Sequence, residues 1–366
     1  MKKWCKALIF ICPLLLMVAA VNWYVDSYAY LRITYDEIGT HMIDGGENVV
    51  GLEESGFDDR SLLLACLKQQ EEAKKIMVIG SSRVLNFDHT MFGTDSFYNA
   101  GLSESTIDDL LAVTGILVQE EKLPETMIIG VDSFLFNTAH NNDRWMALEQ
   151  YENYMQTILD SKENENMPIP EKNTERDNSK WLSLDYFRYN VTCIPERKRF
   201  EVSYTDDWEM EQYTKHYDGS IAYQKELRDV NVEDVIALTE QAMEEHVVYR
   251  MTDYKEIDEE SMLKLSWMID YLKSQDVEVI LYLPPYSPMM YDYIEAEEAF
   301  RITLDIEEQL LQMASGKQIA LYGSYNPEKS GLTMTDLYDV YHVKTEKMPD
   351  TYFPVVVPGN DAGMGK

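Results

Sequence analysis

Lys75-Ile76-Met77-Val78-Ile79-Gly80-Ser81-Ser82-Arg83 decides the fold. Four apolar residues end in a glycine, and two hydroxyl side chains follow. A short run without alternation, closed by glycine, reads as a strand buried on both faces. The residues behind it read as the start of a helical turn. Working outward, Thr126-Met127-Ile128-Ile129-Gly130-Val131, Val277 to Leu283, and Gln318-Ile319-Ala320-Leu321-Tyr322 repeat the pattern, and Phe97-Tyr98-Asn99 is a shorter version. Amphipathic segments separate them. Leu62, Leu63, Cys66 and Leu67 recur at helical spacing within Asp58 to Glu72. Ile107, Leu110, Leu111, Val113, Ile116 and Leu117 form the apolar face of a helix whose start is predicted at Ser105 with Asp108. Further helices are expected over Glu259–Ser274 and 293–314. Five strands alternating with helices predict an α/β fold with a doubly wound parallel sheet. Ligands of such sheets sit beyond the carboxyl ends of the strands. That directs attention to Gly80–Arg83, Asn99-Ala100-Gly101, Gly130–Ser133 and the segment after the last strand.

The 366 residues permit one to three domains at roughly 150 residues each. Residues 1–32 read as a cytoplasmic stub and membrane anchor, and 33–58 as a polar connector with a turn at Gly45-Gly46. Residues 59–345 form the α/β domain. A large insertion at about 138–230 reads as a lid with short helices, and 346–366 as a loose tail. Lys2, Lys3 and Lys6 precede the apolar run Ala7–Val21, which continues into Trp23-Tyr24-Val25. That is long enough for the roughly 20 residues that cross a bilayer. The basic residues in front, and Asp26, Asp36 and Glu37 behind, predict a single pass with the bulk of the chain extracytoplasmic. Cleavage as a signal peptide near Val18-Ala19-Ala20 is the other reading of the same segment. Either way the working domain lies outside the cytoplasm.

A net charge of −33 repels phosphate backbones and argues against nucleic acid as a partner. The four cysteines show no spacing suited to zinc, and the acid pairs show none suited to calcium, so neither a metal nor another cofactor is expected. Cys66 is expected on a buried helix face. A disulfide from it to Cys193 is the less favoured alternative. The insertion aromatics Trp145, Tyr151, Tyr154, Trp181, Tyr186 and Tyr189 suit either sugar stacking or a small core of their own. Asn190-Val191-Thr192 fits the glycosylation pattern.

A serine becomes a nucleophile when an imidazole takes its proton and a carboxylate orients that imidazole. Ser81 and Ser82 stand where free backbone N–H groups point. Of the six histidines, His342 follows the last expected strand in the compact setting Asp339-Val340-Tyr341-His342. A three-residue spacing lets the carboxylate reach the imidazole, although such a pair arises readily by chance in so acidic a chain.

In combination these segments resemble the SGNH (GDSL-like) hydrolase family, particularly its membrane-anchored cell-envelope branch. Gly80-Ser81-Ser82 looks like the family's Gly-Asp-Ser block, Asn99-Ala100-Gly101 like its Asn-x-Gly block, and Asp339 to His342 like its Asp-x-x-His block. The resemblance covers about 76–137 and 277–345. It implies a flavodoxin-like sheet and a triad of Ser82, His342 and Asp339, with the Ser82 and Gly101 amides as oxyanion donors. Ser81, Arg83, Asn99, Asp132 and Asn137 are expected near the site. The departures are Ser81 in place of Asp, Arg83 after the nucleophile, and Asp132 where a side-chain amide is usual. Tyr286, within Leu283-Pro284-Pro285-Tyr286, either walls the substrate cleft or belongs to a rigid strand exit. The resemblance implies an anchored esterase or O-acyltransferase acting on an acylated envelope glycan or polymer, with a membrane acyltransferase as a candidate partner. The alternative is a catalytically degenerate binding or scaffold protein of the same fold.

Overall fold

The computed structural model describes residues 2–25, 27–52, 57–139, 202–251 and 253–358, with a few isolated positions between 158 and 191. In chain order its strands are β1 Asn48–Val50, β2 Ile76–Ile79, β3 Phe97–Asn99, β4 Thr126–Gly130, β5 Ser203–Thr205, β6 Thr214–Lys215, β7 Ile221–Ala222, β8 Glu278–Leu283, β9 Ala320–Gly323 and β10 Pro354–Val356. Each expected apolar run forms a strand. They join in one sheet of order β10-β9-β8-β4-β2-β3. Its neighbours are parallel except β10, which lies antiparallel on β9. The fold is therefore α/β, as expected.

Alternate residues of each strand feed two cores. Met77, Ile79, Met127, Ile129 and Leu281 pack with the helices Ile107–Gln119, Glu259–Ser274 and Ile302–Lys317. Val78, Ile128 and Ile280 face Val84, Phe87, Leu337 and Val343 on the other side. Burial on both faces is why these strands lack polar alternation. Aspartate caps position the helices: Asp58 accepts from the Arg60 and Ser61 amides, and Asp258 from those of Glu260 and Ser261.

Several boundaries differ from expectation. The cap of the helix over Ile107–Gln119 is Thr106 with Asp109, one residue later than Ser105 with Asp108. The helix expected over 293–314 is two helices, Pro288–Ala296 and Ile302–Lys317, with a tight turn at Glu298–Phe300 between them. The supposed connector contains most of a helix, Ser27–Ile43. Tyr35, Ile38 and Met42 bury its apolar stripe against the helix carrying Cys66. The tail contributes β10, because the free edge of β9 offers hydrogen bonds that no local pattern announces. Where described, the insertion supplies strands: β5, β6 and β7 join β1 in a second, antiparallel sheet of order β5-β1-β6-β7. Two- and three-residue strands are too short for periodicity to reveal.

The N-terminal segment Lys2–Val25 is a single helix. Among the described residues no helix is long and apolar enough to cross a membrane. The insertion aromatics named above, the glycosylation triplet as a whole and Cys193 lie outside the described residues. Cys66 is a free, buried thiol, and burial pushes its pKa up to about 11.

Candidate active site

Between β2 and its neighbours β3 and β4 the chain reverses its direction of travel across the sheet, and a crevice opens there above the carboxyl ends. β2 delivers Gly80-Ser81 into a single tight turn, Ser82–Val84. Ser81 caps that turn by accepting from the Arg83 amide at 3.2 Å. Val84 then leans on the end of β4. A Cβ on Gly130 would collide with Val84 Cγ1, so glycine there lets the turn seat. Ser82 is the first residue of the turn, where the N–H has no partner within the turn itself.

Ser82 Oγ lies 2.9 Å from His342 Nε2. His342 Nδ1 lies 2.8 Å and 3.0 Å from the two Asp339 carboxylate oxygens. Asp339 Oδ1 also accepts from the Tyr341 amide at 2.8 Å and the His342 amide at 2.9 Å. One carboxylate thus shapes the turn and aims the ring, which explains the three-residue spacing. Burial acts to raise the Asp339 carboxyl. The His342 ring and the two amides outweigh that effect, leaving it below the ordinary carboxylate range. The edge of Tyr223, from the insertion, meets the His342 ring at 5.7 Å between centroids.

Ser82 and His342 open onto a cavity of about 120 Å³ lined also by Ser81, Arg83, Glu104, Phe134, Tyr249, Tyr286 and Tyr341. Four of these nine residues are Phe or Tyr, which suits an apolar or ring-shaped group. Sequence reasoning missed Glu104, Phe134, Tyr249 and Tyr341, because nothing local sets them apart. Glu104 and Arg250 both have positive φ, 53° and 57°. They are joined by a 2.9 Å ion pair at the cavity mouth. Positive φ in residues with side chains is uncommon enough to draw attention to such a pair.

Asp132 points away from the cavity. Its side chain is fully buried, accepts from Ser81 Oγ at 2.5 Å, and pairs with Arg83 Nη1 at 2.7 Å. Arg83 also donates from Nη2 to the Pro284 carbonyl at 2.9 Å and to the Pro285 carbonyl, and from Nε to the Tyr341 carbonyl at 3.3 Å. Its guanidinium lies 4.7 Å over the Tyr286 ring. Burial alone would make Arg83 easier to deprotonate, but the Asp132 charge reverses that and holds it protonated. Tyr286 lines the cavity, yet it is buried, with its hydroxyl 2.7 Å from Ser133 Oγ.

Three expected contributors stand elsewhere. Gly101 donates its amide to Asn99 Oδ1 at 2.9 Å and does not line the cavity. Asn99 Nδ2 reaches the Val84 and Phe87 carbonyls at 2.7 and 2.9 Å. The Asn-x-Gly segment thus braces the loop behind Ser82 instead of presenting a donor to the cavity. Asn137 donates to the Arg250 carbonyl at 2.6 Å and accepts from the Ala139 amide, also away from the cavity. A second serine–histidine contact exists, Ser220 Oγ to His216 Nδ1 at 2.8 Å. There the carboxylate of Asp218 binds the serine rather than the imidazole, and all three residues are buried. That arrangement is a packed polar network without access. Among the described residues, no group of three or more His, Cys, Asp and Glu side chains could hold a metal ion.

Neither the known protein-family models nor the curated proteins contain a match to this chain.

Proposed function

We propose that the chain is a serine esterase or O-acyltransferase of the SGNH type. The observation that carries this reading is the continuous hydrogen-bonded chain Ser82–His342–Asp339 at the mouth of an aromatic cavity. The strand order supports it. Numbered along the chain, the five parallel strands run 2-1-3-4-5, the order of flavodoxin-like sheets, with the serine at the switch point.

In this mechanism Ser82 Oγ attacks an ester carbonyl carbon, and its proton passes to His342 Nε2. The carbonyl π electrons move onto oxygen, which the Ser82 amide meets. Asp339 holds the Nδ1–H tautomer and stabilises the imidazolium. Collapse expels the alcohol, which takes the proton from His342 and leaves an acyl-serine. Water or a sugar hydroxyl then repeats the steps in reverse, again with His342 as base. The aromatic walls and the Glu104–Arg250 pair suit the ring and hydroxyls of a glycan.

The proposed setting is the outer face of a membrane, with Lys2–Val25 as anchor and an acylated envelope polymer as substrate. Lys2, Lys3 and Lys6 ahead of the apolar run Ala7–Val21 support that reading. A membrane acyltransferase is the proposed donor partner.

A fluorophosphonate probe should label the wild-type chain and not Ser82→Ala; equal labelling of both overturns the assignment. A second reading, a binding protein with a spent site, is favoured by one observation: the Gly101 amide is already bonded to Asn99. It predicts glycan binding without probe labelling of Ser82.

A further inference from the structure

Resting on the serine-hydrolase reading above, we propose that Arg83 is the second oxyanion donor of this site, and that Asp132 is retained to hold it there. The donor inventory leads to this. A guanidinium has five N–H bonds. Four have acceptors: Nε–H on the Tyr341 carbonyl, both Nη2–H on the Pro284 and Pro285 carbonyls, and one Nη1–H on Asp132. One Nη1–H has no acceptor among the described residues, and Arg83 lines the same cavity as Ser82 and His342. The head group is fastened on three sides and from below by the Tyr286 ring. A donor fixed before the reaction costs no reorganisation when charge develops, and that is what makes oxyanion donors effective.

The same geometry accounts for two features of the site. A carboxylate facing the cavity at position 132 would repel an oxyanion. Buried beside Ser81 and Arg83, it instead anchors a cation. The Gly101 amide, committed to Asn99, is not needed as the second donor. In the acylation step the carbonyl oxygen gains the carbonyl π electrons as the Ser82 Oγ–carbon bond forms. Arg83 stays protonated throughout and donates one hydrogen bond to that oxygen. The Ser82 proton goes to His342 and then to the leaving alcohol, so Arg83 takes no part in the proton balance.

The test compares the full-length wild type with Arg83→Gln/Asp132→Asn, which replaces the ion pair by a neutral hydrogen-bonded pair, and with Arg83→Lys, which keeps a cation opposite Asp132. Hydrolysis of p-nitrophenyl acetate and the rate of fluorophosphonate labelling are measured, with thermal unfolding as the check on folding. Loss of one oxyanion donor lowers kcat by about 10² to 10³. The double variant should show that loss with KM within about threefold. Arg83→Lys should lose at least about tenfold, because an ammonium cannot span the three carbonyls and the cavity together. A folded double variant with kcat within about fivefold of wild type overturns the proposal, and so does a loss confined to KM. If the double variant does not fold, wild-type kcat in Arg83→Lys overturns it. A wild-type chain that neither hydrolyses the ester nor labels at Ser82 sinks the hydrolase reading itself, which is a separate result.

Discussion

Replacing Asp339 by asparagine tests the mechanism with almost no change of shape. Asp339 accepts from the Tyr341 and His342 amides at 2.8 and 2.9 Å through one oxygen, and from His342 Nδ1 through both. An asparagine can keep its carbonyl oxygen on the two amides, so the turn survives. Its NH2 group then faces Nδ1 and forces that nitrogen to be the acceptor. The ring proton moves to Nε2, 2.9 Å from Ser82 Oγ, where a lone pair is required. The base is lost while every atom stays close to its place. The expected loss is about 10⁴ in kcat, on the order of 5 kcal/mol at about 1.36 kcal/mol per decade. Thermal unfolding should shift by less than the equivalent of about 1 kcal/mol, since the backbone hydrogen bonds persist. Hydrolysis of p-nitrophenyl acetate and fluorophosphonate labelling give the rate. An active wild type and an Asp339→Asn variant within about tenfold of it would refute the role assigned to Asp339. The sign with pH follows from the depressed native pKa of this carboxyl. Its contribution to stability is present above the unfolded value of about 3.9 and is lost as pH falls through the lower native value.

Arg60→Met should cost about 3–5 kcal/mol in urea unfolding, because it strands a buried carboxylate; Arg60 grips Asp109 at 2.8 and 2.7 Å with both side chains fully buried, and a loss below about 1 kcal/mol would contradict this. Gly219→Ala should destabilise by more than about 2 kcal/mol. Gly219 has φ +80°, and a Cβ there would collide with the Asn99 carbonyl oxygen. Unchanged unfolding would mean that the 216–220 turn does not clamp β3. His216 is buried, and burial pushes its pKa down to about 4. Its contribution is therefore full above the unfolded value of about 6.5 and is lost as pH falls toward 4, by up to about 1.4 kcal/mol per pH unit. His89 runs the opposite way. The hydrogen bond to Asp218 raises its pKa, so its contribution is full below about 6.5 and is lost as pH rises through the raised value. His216→Gln should flatten the acid limb of a stability–pH curve; an unaltered acid limb counts against the assignment.

The sequence alone determined which segments become the central strands, because a strand buried on both faces must be apolar throughout, and Ile76–Ile79, Thr126–Gly130 and Glu278–Leu283 are nearly so. It also determined that Ser82 stands at a strand end and that Asp339 and His342 share one turn, since both facts are local. The pairing of Ser82 with His342 across 260 positions was legible only by resemblance to a family pattern, and the packed sheet supplies the 2.9 Å contact. Other features were decided by tertiary structure alone. β10 and the second sheet exist because free strand edges take up short segments that carry no periodicity of their own. Glu104, Phe134, Tyr249 and Tyr341 become walls of one cavity because separate loops converge there. Read locally, Asp132 is a misplaced charge and Gly101 a free donor. In the folded chain Arg83 binds the first and Asn99 binds the second. A side chain's electrostatic role depends on what faces it: the partner of Asp132 lies 49 positions away beyond another strand, whereas that of the Gly101 amide is only two residues away in the same loop.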